Sequence, residues 1–411
     1  MMNKYTNSEE IDKVKRKNLW ALFIINLFHG MGAGMFNVVY QPFVLELTNS
    51  IMITGILVTI GAIVQFLPMP LVGKLSDRFG RKKLMLSSIL FYVLGLTSLI
   101  FSNSNTILFL VIGILLFFFG IVMNNLSSLI FISENSNKSK GLMYGLIIFS
   151  FFGGTICGST FVLFNPALDS RFFFLIYIGI LIVEWLINLI FISEKFKFEK
   201  NSKLKLTGSF DSEQGVWKKI IKNPKSKAIL IFFSLDLFIY NIGLSVYSGG
   251  LRDFYLITRE NLALIIIVFN ASNMIFQIPG GHIADKIGKR KSLILSQFFG
   301  LSFFFINIIA YFVWASGFKA FLLPALIISH IPFSISVCTF IPSEQMSLTG
   351  LDETRKGESY GIVGMMRGIG FLPTGFLGGF LIENVHYVAP LFISFIGIFV
   401  EIWYLSKYFH D

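Results

Sequence analysis

The sequence predicts an all-α polytopic membrane protein: twelve transmembrane helices in two pseudo-symmetric six-helix bundles. Three observations carry that expectation. Hydrophobic residues make up 54% of the 411-residue chain and charged residues only 14%, a balance found in membrane-spanning chains and not in soluble ones. Twelve apolar windows follow one another, each long enough, at about 1.5 Å per residue, to cross a hydrocarbon core of about 30 Å as a helix. One polar, glycine-bearing turn also occurs twice, half the chain apart.

The windows lie at 19–46, 51–72, 84–102, 106–133, 141–164, 172–193, 228–251, 261–281, 292–314, 320–343, 359–382 and 387–406. Period-2 alternation is absent, so helices must satisfy the backbone in lipid. Residues 1–193 read as an N-terminal bundle, 194–227 as a linker and 228–411 as a C-terminal bundle. Of 34 Lys and Arg, 29 fall in alternate loops and the two termini; Arg171, Arg252, Arg259 and Lys319 lie in the opposite loops, and Arg367 lies in a span. That is the positive-inside asymmetry, and it places both termini in the cytoplasm of a multi-pass protein of the plasma membrane. Because the bases sit in loops, the net charge of +11 points to lipid head groups and not to nucleic acid. Cys157 and Cys338 sit in apolar spans, so no disulfide framework is implied. The N-terminus mixes Glu9, Glu10 and Asp12 with Lys13, Lys15, Arg16 and Lys17, which is not the pattern of a cleavable signal.

In span 1, Asn26, His29, Gly30, Ala33, Asn37 and Gln41 recur every three or four residues and so share one face. Such a face turns toward a cavity or a partner helix and away from lipid. Span 7 repeats this with Asp236, Tyr240, Gly243 and Tyr247, flanked by Asn241 and Ser245. Span 4 carries Asn124, Asn125, Ser127 and Ser128, and span 10 carries His330, Ser334 and Ser336. Spans 5 and 11 carry glycines instead: Gly141, Gly145, Gly154 and Gly158, then Gly361, Gly364, Gly368, Gly375 and Gly379. These are packing stripes, expected where the two halves slide over each other. In the linker, Val216, Trp217, Ile220 and Ile221 lie opposite Lys218 and Lys219, which fits either a short interfacial helix or a disordered basic segment.

The repeated turn reads Gly73-Lys74-Leu75-Ser76-Asp77-Arg78-Phe79-Gly80-Arg81-Lys82-Lys83 after span 2. After span 8 it reads Gly281-His282-Ile283-Ala284-Asp285-Lys286-Ile287-Gly288-Lys289-Arg290-Lys291. Gly73 and Gly281 permit close approach of a neighbour, and Gly80 and Gly288 permit a positive-φ reversal. Asp77 and Asp285 have the chemistry to cap a neighbouring helix or to pair with a base. Arg78, Arg81, Lys82 and Lys83, with Lys289 in the second copy, would face anionic lipid. On these residues the chain resembles the major facilitator superfamily, whose signature loop joins the second and third helices of each half. The resemblance implies a secondary transporter of alternating access, with spans 1, 4, 7 and 10 around the solute path and Asp77 and Asp285 in a cytoplasmic charge lock. Glu134 with Lys138 and Lys140, and Glu344 with Arg355 and Lys356, are expected to join that gate. The chain departs from exporters of the family at Thr155, where a Pro is usual, and at Leu116, where an Arg is frequent. It departs from sugar porters at Ser193-Glu194-Lys195-Phe196.

Four charged residues lie well inside the windows: Glu184, Asp236, Arg367 and Glu401. Asp236 and Arg367 each sit about nine residues into their spans, near the midplane, and are expected to form an ion pair that is either structural or part of turnover. His29 and His330 are expected to face the cavity, as coupling-proton carriers or as hydrogen-bonded lining. Glu184 and Glu401 are expected to bond helix to helix, or to be protonated in place. No phosphate-binding loop, metal-ligand cluster or catalytic triad appears, so no enzyme activity, metal or cofactor is expected. The expected partners are a small-molecule substrate, a proton and the bilayer, with the chain a monomer. Its 48 Phe and few cavity charges favour export of an apolar or amphiphilic solute. Metabolite uptake and ligand sensing without flux stand as alternatives.

Overall fold

A computed structural model describes residues 8–136, 140–194, 224–348 and 356–409. The linker segment around Trp217, together with Lys138 and Arg355, lies outside the described residues. The first six spans are α1 (Ser8–Thr48), α2a and α2b (Ile51–Phe66 and Met69–Phe79), α3 (Arg81–Phe101), α4 (Ile107–Asn135), α5 (Lys140–Phe164) and α6 (Ser170–Phe191). The last six are α7a and α7b (Pro224–Leu244 and Tyr247–Tyr255), α8 (Arg259–Ile287), α9 (Lys289–Ala315), α10 (Leu322–Leu348), α11a and α11b (Lys356–Ile369 and Thr374–Asn384) and α12 (Ala389–Tyr408). Twelve helices among the described residues are long and apolar enough to cross a membrane, and they match the twelve windows in order.

The turns have local causes. Gly80 and Gly288 hold φ of 95° and 85°, so each repeated motif ends one helix and starts the next through a residue that needs no Cβ. The Ser50 hydroxyl accepts from the Ile53 N–H at the start of α2a, and the Asp169 carboxylate accepts from the Arg171 N–H at the start of α6, each filling a vacant helix-end bond.

Apolar side chains such as Leu94, Ile190, Phe298, Ile328 and Ile396 are exposed around the outside. In water such a belt would drive aggregation; against lipid tails it is the matching surface.

The two halves meet along α2 and α11 and along α5 and α8. Gly55 and Gly375 press on each other's backbone, Gly379 lies on Ile51, Gly361 on Met69, and Gly73 on Gly357. This glycine stripe of span 11 therefore lies between the halves, as expected. Span 5 also lies at the boundary, against α8, but Gly154 and Gly158 face inward onto the backbone of Leu27 and Met31 in α1. Periodicity shows that a stripe packs but not against what.

A Cβ on Gly375 would stand 2.5 Å from the Gly55 carbonyl oxygen, whereas one on Gly281 would meet nothing within 4 Å. Gly375→Val is therefore expected to cost about 1–3 kcal/mol through overpacking and Gly281→Val far less. Thermal unfolding in detergent checks this, and equal midpoints would refute the seam.

Candidate functional site

Three helices break in mid-span: α2 near Pro68, α7 at Ser245–Val246 and α11 at Gly370–Pro373. In lipid the freed backbone groups need partners. The Ser245 hydroxyl donates to the Thr374 carbonyl at 3.0 Å, joining the breaks of α7 and α11. Gln41 of α1 donates to the Ser245 carbonyl and accepts from the Gly249 N–H, both at 2.8 Å. The polar stripe of span 1 thus reaches the other half at Gln41. Asn37 lies one turn earlier on the same face and is exposed, as is Asn125 of α4. These two asparagines are the predicted lining residues that present free surface in mid-span. Asn26 and Asn241 instead bond back to Leu22 and Leu237 in their own helices, and Asn124 is buried.

The histidines are placed differently from expectation. His29 Nδ1 lies 3.1 Å from Glu184 Oε2 of α6, with Tyr92, Phe151 and Tyr177 ringing the imidazole. His330 bonds to the Leu326 carbonyl and sits among Tyr247, Phe269, Phe303 and Phe333. Each therefore points into the interior of its own half and not into a shared cavity. A helical stripe about 100° wide leaves this rotation open, and a helix surrounded by others has buried neighbours on several sides.

The expected Asp236–Arg367 pair does not form. Arg367 pairs with Glu344 of α10, and Asp236 accepts from Gln297 Nε2 of α9 at 3.1 Å. The Gln297 carbonyl oxygen in turn accepts from the Tyr240 hydroxyl at 2.9 Å. Equal depth was the right observation and the wrong criterion, because α10 supplies a nearer carboxylate that looked like part of a loop cluster.

The two copies of the repeated turn also differ. Arg81 is buried, not turned to lipid, and donates to Asp77 at 2.6 Å, Ser76 at 3.1 Å and Glu134 at 3.2 Å. Asp77 also accepts from the Glu358 N–H at 3.2 Å, so it caps the N-terminus of α11a across the halves. The Glu194 carboxylate accepts from the N–H groups of Arg81 and Lys82 and caps α3, while Lys82 Nζ bonds the Leu189 and Ile192 carbonyls. Arg78 stays exposed over the Phe79 ring. In the second copy Asp285 is exposed and Gly281 faces open space, while Arg290 donates to the Ser406 carbonyl of α12 much as Lys82 does to the end of α6. Among the described residues Asp285 makes no closure matching that of Asp77. Glu344, assigned from sequence to the second gate cluster, pairs with Arg367; Arg355, one of its expected partners there, lies outside the described residues.

At the opposite end of the seam, the Glu383 carboxylate of α11b accepts from the Ser50 hydroxyl at 2.7 Å and the Met52 N–H at 2.9 Å, at the N-terminus of α2a. Each of the two seam helices thus ends in a carboxylate seated on the other's N-terminus. Arg259 at the start of α8 donates to the Leu168 carbonyl at 2.5 Å and to Ser170 at 2.9 Å. These contacts border a cavity of about 400 Å³ that also presents Glu46, Arg171 and Arg252. Neither Glu383 nor Glu194 was singled out as a cap; a lone acid at a span end carries no periodic signal.

The sequence profile of the Major Facilitator Superfamily matches residues 22–259. Multidrug resistance protein 2 of Bacillus subtilis is 25% identical over 410 residues, covering 93% of this chain and 94% of the relative. The uncharacterized MFS-type transporter MJ1317 of Methanocaldococcus jannaschii is 25% identical over 396 residues, 91% and 90% of the two chains. The xylose transporter XylE from E. coli, in a partially occluded inward-open conformation, superposes with a TM-score of 0.72 at 14% identity over 96% of this chain and 98% of its own.

Two outcomes test this geometry. Arg367→Met strands a buried Glu344 and is expected to cost about 3–5 kcal/mol; adding Glu344→Gln restores most of the thermal midpoint, and adding Asp236→Asn does not. Restoration by Asp236→Asn alone would reinstate the pairing expected from depth. Asp77→Asn removes a charged cap that contributes about 0.3–1 kcal/mol, so labelling of a Met69→Cys probe, with Cys157 and Cys338 replaced by Ser, should rise about two- to fivefold. An unchanged labelling rate would show that Asp77 does not latch the seam.

Proposed function

The chain belongs to the major facilitator superfamily, and from that premise we propose that it exports an apolar or amphiphilic compound from the cytoplasm by alternating access, driven by proton entry. The observation that carries this reading is the similarity to Multidrug resistance protein 2 over nearly the full length of both chains. The chemistry of the spans agrees with it. Aromatic rings pack into the interior of both halves, apolar surroundings that suit a flat or flexible apolar solute. The base-rich turns support a cytoplasmic position for the end bearing Asp77; in this reading the protein sits in the plasma membrane with both termini on that side and acts as a monomer. The Asp77–Arg81–Glu134 cluster is then the cytoplasmic gate, and the Glu383 cap closes the outer end.

Asn37 and Asn125 favour a second reading. Two exposed amides in mid-span suit hydrogen bonding to a small polar metabolite, moved inward or down its own gradient. A ligand sensor would bind but produce no flux.

One reconstitution separates the three. Proteoliposomes carrying a pH gradient are tested with a panel of lipophilic dyes (ethidium, rhodamine 6G, a dansylated lipid analogue) against a panel of sugars and nucleosides. Gradient-driven movement of at least one dye, abolished by an ionophore that collapses the gradient, is expected. Movement confined to the polar panel supports the carrier, and binding without movement supports the sensor.

A further inference from the structure

Both halves place a carboxyl group of their sixth helix against the first. In the first half this is Glu184, which meets the basic His29. In the second half it is Glu401, and the contacts of α12 fix what it faces. The Ser394 hydroxyl accepts from the Gly243 N–H at 3.0 Å and donates to the Ile239 carbonyl at 2.6 Å. One turn along, Gly397 presses on Ile239. The helices therefore run antiparallel in a fixed register, and the next turn of each brings Glu401 opposite Asp236. Asp236 lies within its electrostatic reach. Where the first half sets an acid against a base, the second sets an acid against an acid.

Among the described residues, the remaining groups around this pair do not supply a cation for both. From α7, Asp236 and Tyr240 face it; from α9, the neutral Gln297 bonds both of these. From α11 comes Arg367, already paired with Glu344 of α10. Three carboxyl groups thus share one guanidinium. Glu401 is wholly buried, and neither of its oxygens has a hydrogen-bond partner among the described residues. An ionised carboxylate in that setting, with no donor and an acid opposite, is the least favourable way to bury this side chain.

We propose that Glu401 carries the coupling proton of the transport cycle, held as the neutral acid while the α7–α12 contact is closed and exchanged through Asp236 when it loosens. The proposal rests on the proton-driven reading given above and names its carrier. The step needs no other reactant: a proton from the outer solution forms one O–H bond on the Glu401 carboxylate, and that bond breaks when the proton leaves to cytoplasmic water. Asp236 keeps a little solvent exposure where Glu401 has none, so it is the relay between Glu401 and water. His29, already matched by Glu184, is not part of the path.

The test compares wild type with Glu401→Gln, a neutral isostere of the protonated side chain, and with Glu401→Asp. Using the dye that wild type moves fastest, and a pH indicator trapped inside the vesicles, Glu401→Gln should lose at least tenfold of the gradient-driven flux. Whatever downhill flux remains should move no protons, while Glu401→Asp should regain proton movement at a lower rate. Gradient-driven flux and internal pH change kept by Glu401→Gln would overturn the assignment and leave proton coupling intact. Wild type that ignores the pH gradient would end both ideas. Infrared difference spectra of the detergent-purified proteins need no substrate: wild type minus Glu401→Gln should contain the C=O stretch of a protonated carboxylic acid. Its absence overturns the proposal independently of transport.

Discussion

A carboxylate in the hydrocarbon layer must find a cation, a donor or a proton, and this requirement sets how the spans of the protein turn against one another. A charged side chain at mid-bilayer costs at least about 2.5–3.5 kcal/mol, while an ordinary hydrogen bond between membrane helices contributes about 0.6 kcal/mol. Matching charge therefore outweighs most of the other contacts available to a helix choosing its rotation. Glu184 fixes α6 on α1 through His29, and Glu344 fixes α10 on α11 through Arg367. With those rotations set, the glycines of α11 face α2 and the halves gain a smooth line of contact.

The same priority explains what the sequence made legible. Twelve windows and the repeated motif each report on one helix or one loop, and both were placed correctly from the chain alone. The positive-φ glycines followed because a reversal between two helices leaves few other conformations. Pairings across helices were not legible in the same way. A polar residue's depth and the face it shares are encoded in its spacing, but the helix it meets depends on the rotation of every neighbour. Depth alone matched Asp236 to Arg367, whereas Glu344 and Gln297 sit nearer to them. His29 was assigned to a shared cavity for the same reason, although its partner Glu184 had been recognised as a membrane-buried acid. Gln41 lay on the predicted stripe, yet its role depended on a break in α7 that has no proline to announce it.

Duplication built two halves of like architecture, and the structure shows how far they have parted. The first copy of the turn anchors a network from Ser76 through Arg81 to Glu134 and reaches α11 through Asp77. The second presents Asp285 to the surface. In the membrane interior the divergence runs the other way, since the first half holds a matched His–Glu pair and the second holds an excess of acids. Among the described residues the acid–base closure at the Asp77 end is thus built on the first copy of the turn, and the buried acids without a matching base lie in the second half. A carrier needs both, and separating them lets each change without disturbing the other.

The seam itself shows why neither end is locked. Asp77 sits on the N-terminus of α11a and Glu383 on that of α2a, an exchange made possible because α2 and α11 pack antiparallel over their full length. A carboxylate on a helix N-terminus contributes about 0.3–1 kcal/mol, and partly exposed ion pairs about 0–1 kcal/mol. Two closures built from the same interaction oppose each other with similar strength, so their difference is smaller than either. A shift from mostly one state to mostly the other takes about 5.5 kcal/mol of differential binding when the starting bias is large, and far less when the two ends are nearly balanced. Weak, matched latches thus put the position of the seam under the control of whatever occupies the interior. The glycine contacts beneath them, which interlock without directional bonds, let the helices move apart at one end while holding at the other.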